Sequence, residues 1–114
     1  MLGELLQKLT GFGVMLYYVF QCRPVVGVKN RFQIPLREGI QIVEKAKSMQ
    51  NGFGKSFSYC LSHMSGKIEI LGTIGQEMIF RYHEAKNPDH YGKLFTLKIN
   101  DQDCWIPDDF QPDL

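Results

Sequence analysis

The chain has 114 residues, 44% of them hydrophobic and 22% charged, which is the size and composition of one globular domain and far from those of a disordered segment. Thirteen Lys and Arg against twelve Asp and Glu leave a net charge of +1, so no global field draws in nucleic acid or anionic lipid, and neither is expected as a partner. Three isolated cysteines, Cys22, Cys60 and Cys104, with no Cys-x-x-Cys, exclude a dense disulfide framework and predict free thiols in a reducing compartment.

The start, Met1-Leu2-Gly3-Glu4, lacks the basic opening of a targeting signal. The most apolar run, Leu9 to Cys22, is broken by Gly11 and Gly13 and reads as a buried core element rather than a membrane span. These features predict a cytoplasmic protein. Eight Phe, five Tyr and one Trp supply a core that needs neither disulfides nor a structural metal.

In chain order, Leu2, Leu5, Leu6 and Leu9 keep helical spacing up to a stop at Gly11. Val14 to Phe20 is apolar on both strand faces and rich in aromatic and β-branched residues, which predicts a central strand covered on both sides. Val25 to Val28 and Arg31 to Ile34 are expected to form a small hairpin. Arg37 to Gln50 is the clearest helix, with Ile40, Ile42, Val43, Ala46 and Met49 on one broad face and Asn51-Gly52 as its stop.

The second half changes period. Ile68 and Ile70, then Met78, Phe80 and Tyr82, then Phe95, Leu97 and Ile99 alternate with polar neighbours, and turn residues separate the three runs. This predicts an antiparallel meander with a last strand at Cys104-Trp105-Ile106. The expected architecture is α+β: two helices packed on a mostly antiparallel sheet with a C-terminal β-meander. A single domain over residues 1–107 is followed by an acidic, frayed tail over 108–114. Thr10-Gly11-Phe12-Gly13 and Asn51-Gly52-Phe53-Gly54 form a weak internal echo.

Sites of chemistry are sparse. Gly54-Lys55-Ser56 has the end of a phosphate loop but not its first glycine, since Met49 stands there, and a helix rather than a strand precedes it. Asn51-Gly52-Phe53-Gly54 opens like the RNP1 strand of RNA-binding domains, yet Lys55, Ser56 and Ser58 fall where that strand wants aromatic or aliphatic residues. No nucleophile elbow and no His-Glu-x-x-His occurs.

Cys60 and His63, spaced so that two side chains on a turn or helix reach one ion, are the candidate metal ligands; His83, His90 or Cys104 would complete a zinc or iron–sulfur site. No cofactor is otherwise expected. His83 is the candidate acid–base group, with Asp89, His90 or Glu69 as its expected partner. Arg81, Lys86, Tyr91 and Lys93, grouped around one hairpin, and Trp105 and Phe110, read as exposed near the tail, are the candidate binding residues.

A helix followed by short strands resembles the NifU-type iron–sulfur scaffold domain. The Cys-x-x-Cys that family carries is absent here, so no ligand set transfers. The leading expectation is therefore a non-catalytic binding or adaptor domain that works through protein contacts, with a protein partner or a second copy of itself. A Cys/His metal or iron–sulfur carrier and a small enzyme or enzyme subunit using His83 are the alternatives.

Overall fold

A computed structural model describes residues 2–11, 18–21, 34–50 and 57–110. The expected hairpin over 25–34, the residues Gly54-Lys55-Ser56, most of the internal echo and the start of the strand expected from Val14 lie outside the described residues. So does the very end of the tail, 111–114.

The architecture is the α+β one expected. Among the described residues it consists of α1 (Leu2–Gly11), β1 (Tyr18–Phe20), α2 (Leu36–Ser48), β2 (Ser58–His63), β3 (Gly66–Ile74), β4 (Glu77–Ala85), a short 3-10 turn (Pro88–His90) and β5 (Leu94–Lys98). The five strands lie in the order β1-β2-β3-β4-β5. β1 pairs with β2 in parallel, with Tyr18 beside Ser58 and Phe20 beside Cys60, and the remaining pairings are antiparallel. α2 thus lies on the crossover that a parallel pair requires, and the other strands follow as a meander.

The alternation read from the sequence is the alternation of the sheet. Leu61 and Ile68, Ile68 and Tyr82, Ile70 and Phe80, and Phe80 and Phe95 are cross-strand partners. All of them are buried, and with Leu36, Ile40 and Val43 from α2 they make the core. Phe80 and Phe95 stack at 5.3 Å between ring centroids. A face this apolar, buried at about 25 cal/mol per Å², is the main term holding the sheet to the helices.

Tight turns set the meander. Gly75 has φ +61 in the β3–β4 turn. Gly66 has φ +144 where β3 begins, and a Cβ there would run into the backbone carbonyl of Glu84; only glycine fits.

Polar struts tie the helices on. α1 meets the end of α2 through Gln7 Nε2 donating to the Met49 carbonyl (2.6 Å) and the buried Gln50 donating to the Gly3 carbonyl (2.8 Å). At the other end of α2, Arg37 donates to the carbonyls of Ile99 and Gln76 at 2.9 and 2.5 Å.

Two expectations are corrected. Cys104-Trp105-Ile106 is not a strand; it belongs to a strap over Asp103–Phe110 that crosses the helix side of the sheet. The strap's backbone is used singly rather than in a ladder. The Leu36 N–H donates to the Asp103 carbonyl (2.7 Å), satisfying one of the orphan donors at the start of α2, and Gln21 Nε2 donates to the Cys104 carbonyl (3.1 Å). Among the described residues, the strand expected to be central is the terminal one in the sheet order, and Phe20 on it is 50% exposed. An apolar pattern on both faces reports a demand for cover, not a place in the sheet.

Candidate functional site

Alternation along the strands divides the candidate residues between two faces of the sheet. Tyr59, Leu61 and His63 of β2 face the helices; Cys60 faces the other way, opposite Glu69 on β3. Three residues apart on a strand means opposite faces, so Cys60 and His63 do not converge on one ion. The x-x spacing suits a turn or helix, and β2 is neither. Among the described residues no group of three or more His, Cys, Asp or Glu side chains is placed to hold a metal.

His63 serves the strap. Its ring is buried, its Nδ1 accepts from the Ser65 N–H (3.1 Å), and Nε2 therefore carries the proton and donates to the carbonyls of Ile106 (3.2 Å) and Pro107 (3.1 Å). Phe110 meets the same ring edge-on at 5.1 Å and lies 5.5 Å from Phe95. Phe110 and Trp105 are thus half-buried packing residues against the core rather than an exposed surface. Cys104 is half-buried on the strap, its Sγ 3.5 Å from the Gln102 carbonyl.

The other face carries the polar chemistry. Tyr18 from β1 and His83 from β4, 65 positions apart, share a hydrogen bond of 2.7 Å between the hydroxyl and Nε2. The rings meet edge-on at 5.5 Å. The ammonium of Lys67 sits 4.4 Å over the Tyr18 ring and 3.7 Å from a Glu84 carboxylate oxygen. Phe20 packs at 5.6 Å from Tyr18. Glu69 and Arg81 are cross-strand partners on the same face.

His83 therefore finds a phenol, not Asp89, His90 or Glu69. His90 instead stacks on Tyr82 at 5.7 Å, and its Nε2 lies 3.3 Å from the Asn87 amide. Neither Tyr18 nor Lys67 carries a local motif, and no spacing signal could have joined them to His83; the contact is made by the parallel pairing of β1. Cys60, buried on this face beside Phe20 and Glu69, has its thiol pushed up to about 11 by burial and then by the Glu69 charge. Burial thus favours the protonated thiol over the thiolate that a nucleophile needs.

Arg81, Lys86, Tyr91 and Lys93 are all exposed at one end of the β4–β5 hairpin, where the Tyr82 N–H donates to the Lys93 carbonyl (3.0 Å). They share a neighbourhood but no mutual hydrogen bond is formed among them.

The arrangement defines a class in structural terms: a parallel strand–helix–strand unit continued by an antiparallel meander, with a phenol–imidazole–ammonium cluster on the sheet face away from the helices. No known protein family and no solved structure matches the chain. It is similar, at 41% identity over 107 residues, to a protein of Aquifex aeolicus (strain VF5) named "Putative L-lysine 2,3-aminomutase". The match covers 94% of this chain but only 28% of the Aquifex protein, so the chain spans less than a third of that relative's length. No helix among the described residues is long and apolar enough to cross a membrane.

Proposed function

We propose that this chain works through protein contacts as one segment of a larger amino-acid-transforming enzyme, of the aminomutase type named for its Aquifex relative, and that L-lysine or a similar amino acid is the substrate of the whole. On this reading the chain alone is not a catalyst. It contributes the open sheet face with Tyr18, Lys67 and His83, and the rest of the enzyme closes the site. The observation that carries the reading is the 107-residue match lying inside a much longer relative.

The chemistry of the face supports it. A zwitterionic amino acid needs a positive group for its carboxylate and a negative group for its ammonium. Lys67 and Arg81 offer the first, Glu69 and Glu84 the second, and all four lie on β3 and β4. The Tyr18–His83 pair adds a hydrogen-bonded phenol and imidazole, two groups between which a proton can be exchanged.

The test is a transplant. The Aquifex protein is made with this chain in place of its own matched segment, and conversion of L-lysine to its 3-amino isomer is followed by chromatography beside the parent. A chimera retaining at least a tenth of the parent's rate, and losing it on His83→Ala, is the expected result. A folded chimera without activity, beside an active parent, would overturn the assignment.

A further inference from the structure

A row of cross-strand partners crosses the sheet on the face away from the helices. Phe20 stands beside Cys60, Cys60 opposite Glu69, Glu69 opposite Arg81, and Arg81 opposite Leu94. The row is apolar at its two ends and charged in the middle. Phe20 is 50% and Leu94 59% exposed, Glu69 is half-buried and Arg81 exposed. Burial and then the Glu69 charge raise the Cys60 thiol, against the opposing charges of Lys67 and Lys47, so the Glu69 carboxylate lies close to its row neighbour.

The two opposite charges in the middle are neighbours without being an ion pair. Among the described residues Lys67 closes on Glu84 at 3.7 Å, whereas Glu69 and Arg81 form no salt bridge with each other. Residues directly opposite in an antiparallel pair hold their Cβ atoms about 5 Å apart. A ligand that carries one charge of each sign on neighbouring atoms can therefore bridge them. An α-amino acid is such a ligand, with its ammonium and its carboxylate on the same carbon.

The geometry points to Glu69 and Arg81 as a recognition pair for the α-end of an unblocked amino acid, Glu69 taking the α-ammonium and Arg81 the α-carboxylate. The inference rests on the reading of this face as part of an amino-acid site, and it divides the four charges named there. Lys67 and Glu84 hold each other, and Lys67 also sits 4.4 Å over the Tyr18 ring; that pair shapes the site beside the ligand. The planar guanidinium of Arg81 takes a carboxylate through two N–H groups at once, which an ammonium does not. Phe20 and Leu94 offer apolar surface on either flank, along which the methylenes of a side chain can lie. Neither reads a particular side chain, so this chain recognises amino acids as a class and the rest of the enzyme selects among them.

The chimera described above supplies the first measurement. Arg81→Gln and Glu69→Gln should each raise KM for L-lysine at least about tenfold and leave kcat within about threefold, as loss of binding shared by ground and transition states does. Arg81→Lys should restore only part of the loss. Glu77→Gln and Lys98→Met, an opposed pair on the same face at the far end of the sheet, should leave KM unchanged. An active chimera whose KM is unmoved by Arg81→Gln and Glu69→Gln, or moved equally by the Glu77 and Lys98 variants, overturns the recognition pair and leaves the functional reading standing.

An inactive chimera sinks the functional reading, and the isolated chain then decides the pair. Its amide NMR spectrum is followed during titration with L-lysine to about 50 mM. Saturable shifts at Cys60, Glu69, Arg81 and Leu94 are expected, and Arg81→Gln should abolish them. Nε-acetyl-L-lysine, whose α-end is intact, should reproduce them, and Nα-acetyl-L-lysine should not. With the chimera inactive, the absence of saturable shifts at these four residues, or equal shifts from the Nα-blocked compound, overturns the pair.

Discussion

The two ends of the sheet are built by different means. From β2 to β5 each strand is joined to the next by a short connection, and the pairs close on one another through Leu61, Ile68, Tyr82, Phe80 and Phe95. The β1 end has a short parallel pairing with β2 and the packing of Val19 on the core, supplemented by single polar struts. Gln21, itself buried, receives a hydrogen bond from the Tyr59 hydroxyl (2.5 Å) and donates to the carbonyls of Ile34 (2.5 Å) and Cys104 (3.1 Å). The contrast teaches that local pairing finishes a structure by itself, whereas a parallel strand depends on whatever arrives from elsewhere in the chain or from outside it. Stability should accordingly be graded, highest in the meander and lowest at β1.

The sharpest way to break the contrast is to strike the stronger half. Gly66→Val forces a side chain into φ +144 and against the Glu84 carbonyl, at an expected cost of about 3 kcal/mol or more. Urea unfolding followed by tryptophan fluorescence and by circular dichroism should show one shared transition, shifted to lower urea. A loss confined to the β3–β4 pairing, with the rest of the domain intact, would mean that the meander is not the stabilising body of the fold.

Tyr59→Phe strikes the weaker half. It removes the hydroxyl that satisfies the buried Gln21 side chain, which should cost about 1–3 kcal/mol because the amide oxygen is left without a partner. The loss should appear first as faster amide exchange at Tyr18–Phe20, before any change at Leu94–Lys98. Uniform loss at both edges would erase the grading. Gly39 adds to the argument: a Cβ there would strike the Tyr59 hydroxyl, so the close approach of α2 to this network requires glycine.

How much of this was legible in the sequence follows the same division. The three strands of the meander were readable because each hydrophobic alternation is local, as in Met78, Phe80 and Tyr82. The helix over Leu36–Ser48 was readable from its apolar face. The strap was not. Trp105 and Ile106 have a strand's composition, but the strap that carries them is anchored at Asp103, Cys104 and Ile106 by single groups on Leu36, Gln21 and His63, tens of residues away. The place of β1 was not readable either, since parallel pairing is a long-range event, and with it went the Tyr18–His83 contact. His83 was singled out with the wrong partner for that reason.

Alkaline pH should sharpen the contrast at one strand. Burial pushes the Tyr59 hydroxyl up to about 12, and burial with the Glu69 charge pushes the Cys60 thiol up to about 11, from ordinary values of 10.0 and 9.0. Both groups lie on β2, the strand that β1 pairs with. Each keeps its proton in the folded state where the unfolded chain has released it. Stability is therefore complete below about pH 9 and falls above it, through the Cys60 range to about 11 and the Tyr59 range to about 12. The slope is at most about 1.4 kcal/mol per pH unit for each group. Cys60→Ala should remove the first part of that decline and leave the second, as measured by urea midpoints from about pH 8 to about pH 11. An unchanged decline would mean that the thiol is not held protonated by the fold.

The smallest effect expected is also the one that bears most directly on the proposed site. Tyr18 spans the open face from β1 to His83 on β4, and that hydrogen bond is half-buried, so its net worth should be about 0.5–1.5 kcal/mol. Single substitutions blur this value, because Tyr18→Phe keeps the ring beneath Lys67 whereas Tyr18→Leu removes the cation–π contact as well. A double-mutant cycle of Tyr18→Phe with His83→Ala isolates the hydroxyl–imidazole coupling, and the same cycle with Tyr18→Leu and Lys67→Met isolates the ammonium's share, expected at about 0.5–1 kcal/mol for a site open to water. Coupling in both cycles would show that β1 and the meander are joined across this face as well as along the helix side. The cluster would then be a fixed feature that a docking partner meets ready-made. Coupling near zero in the first cycle would leave β1 tied to the fold only by its pairing with β2, by Val19 and by Gln21.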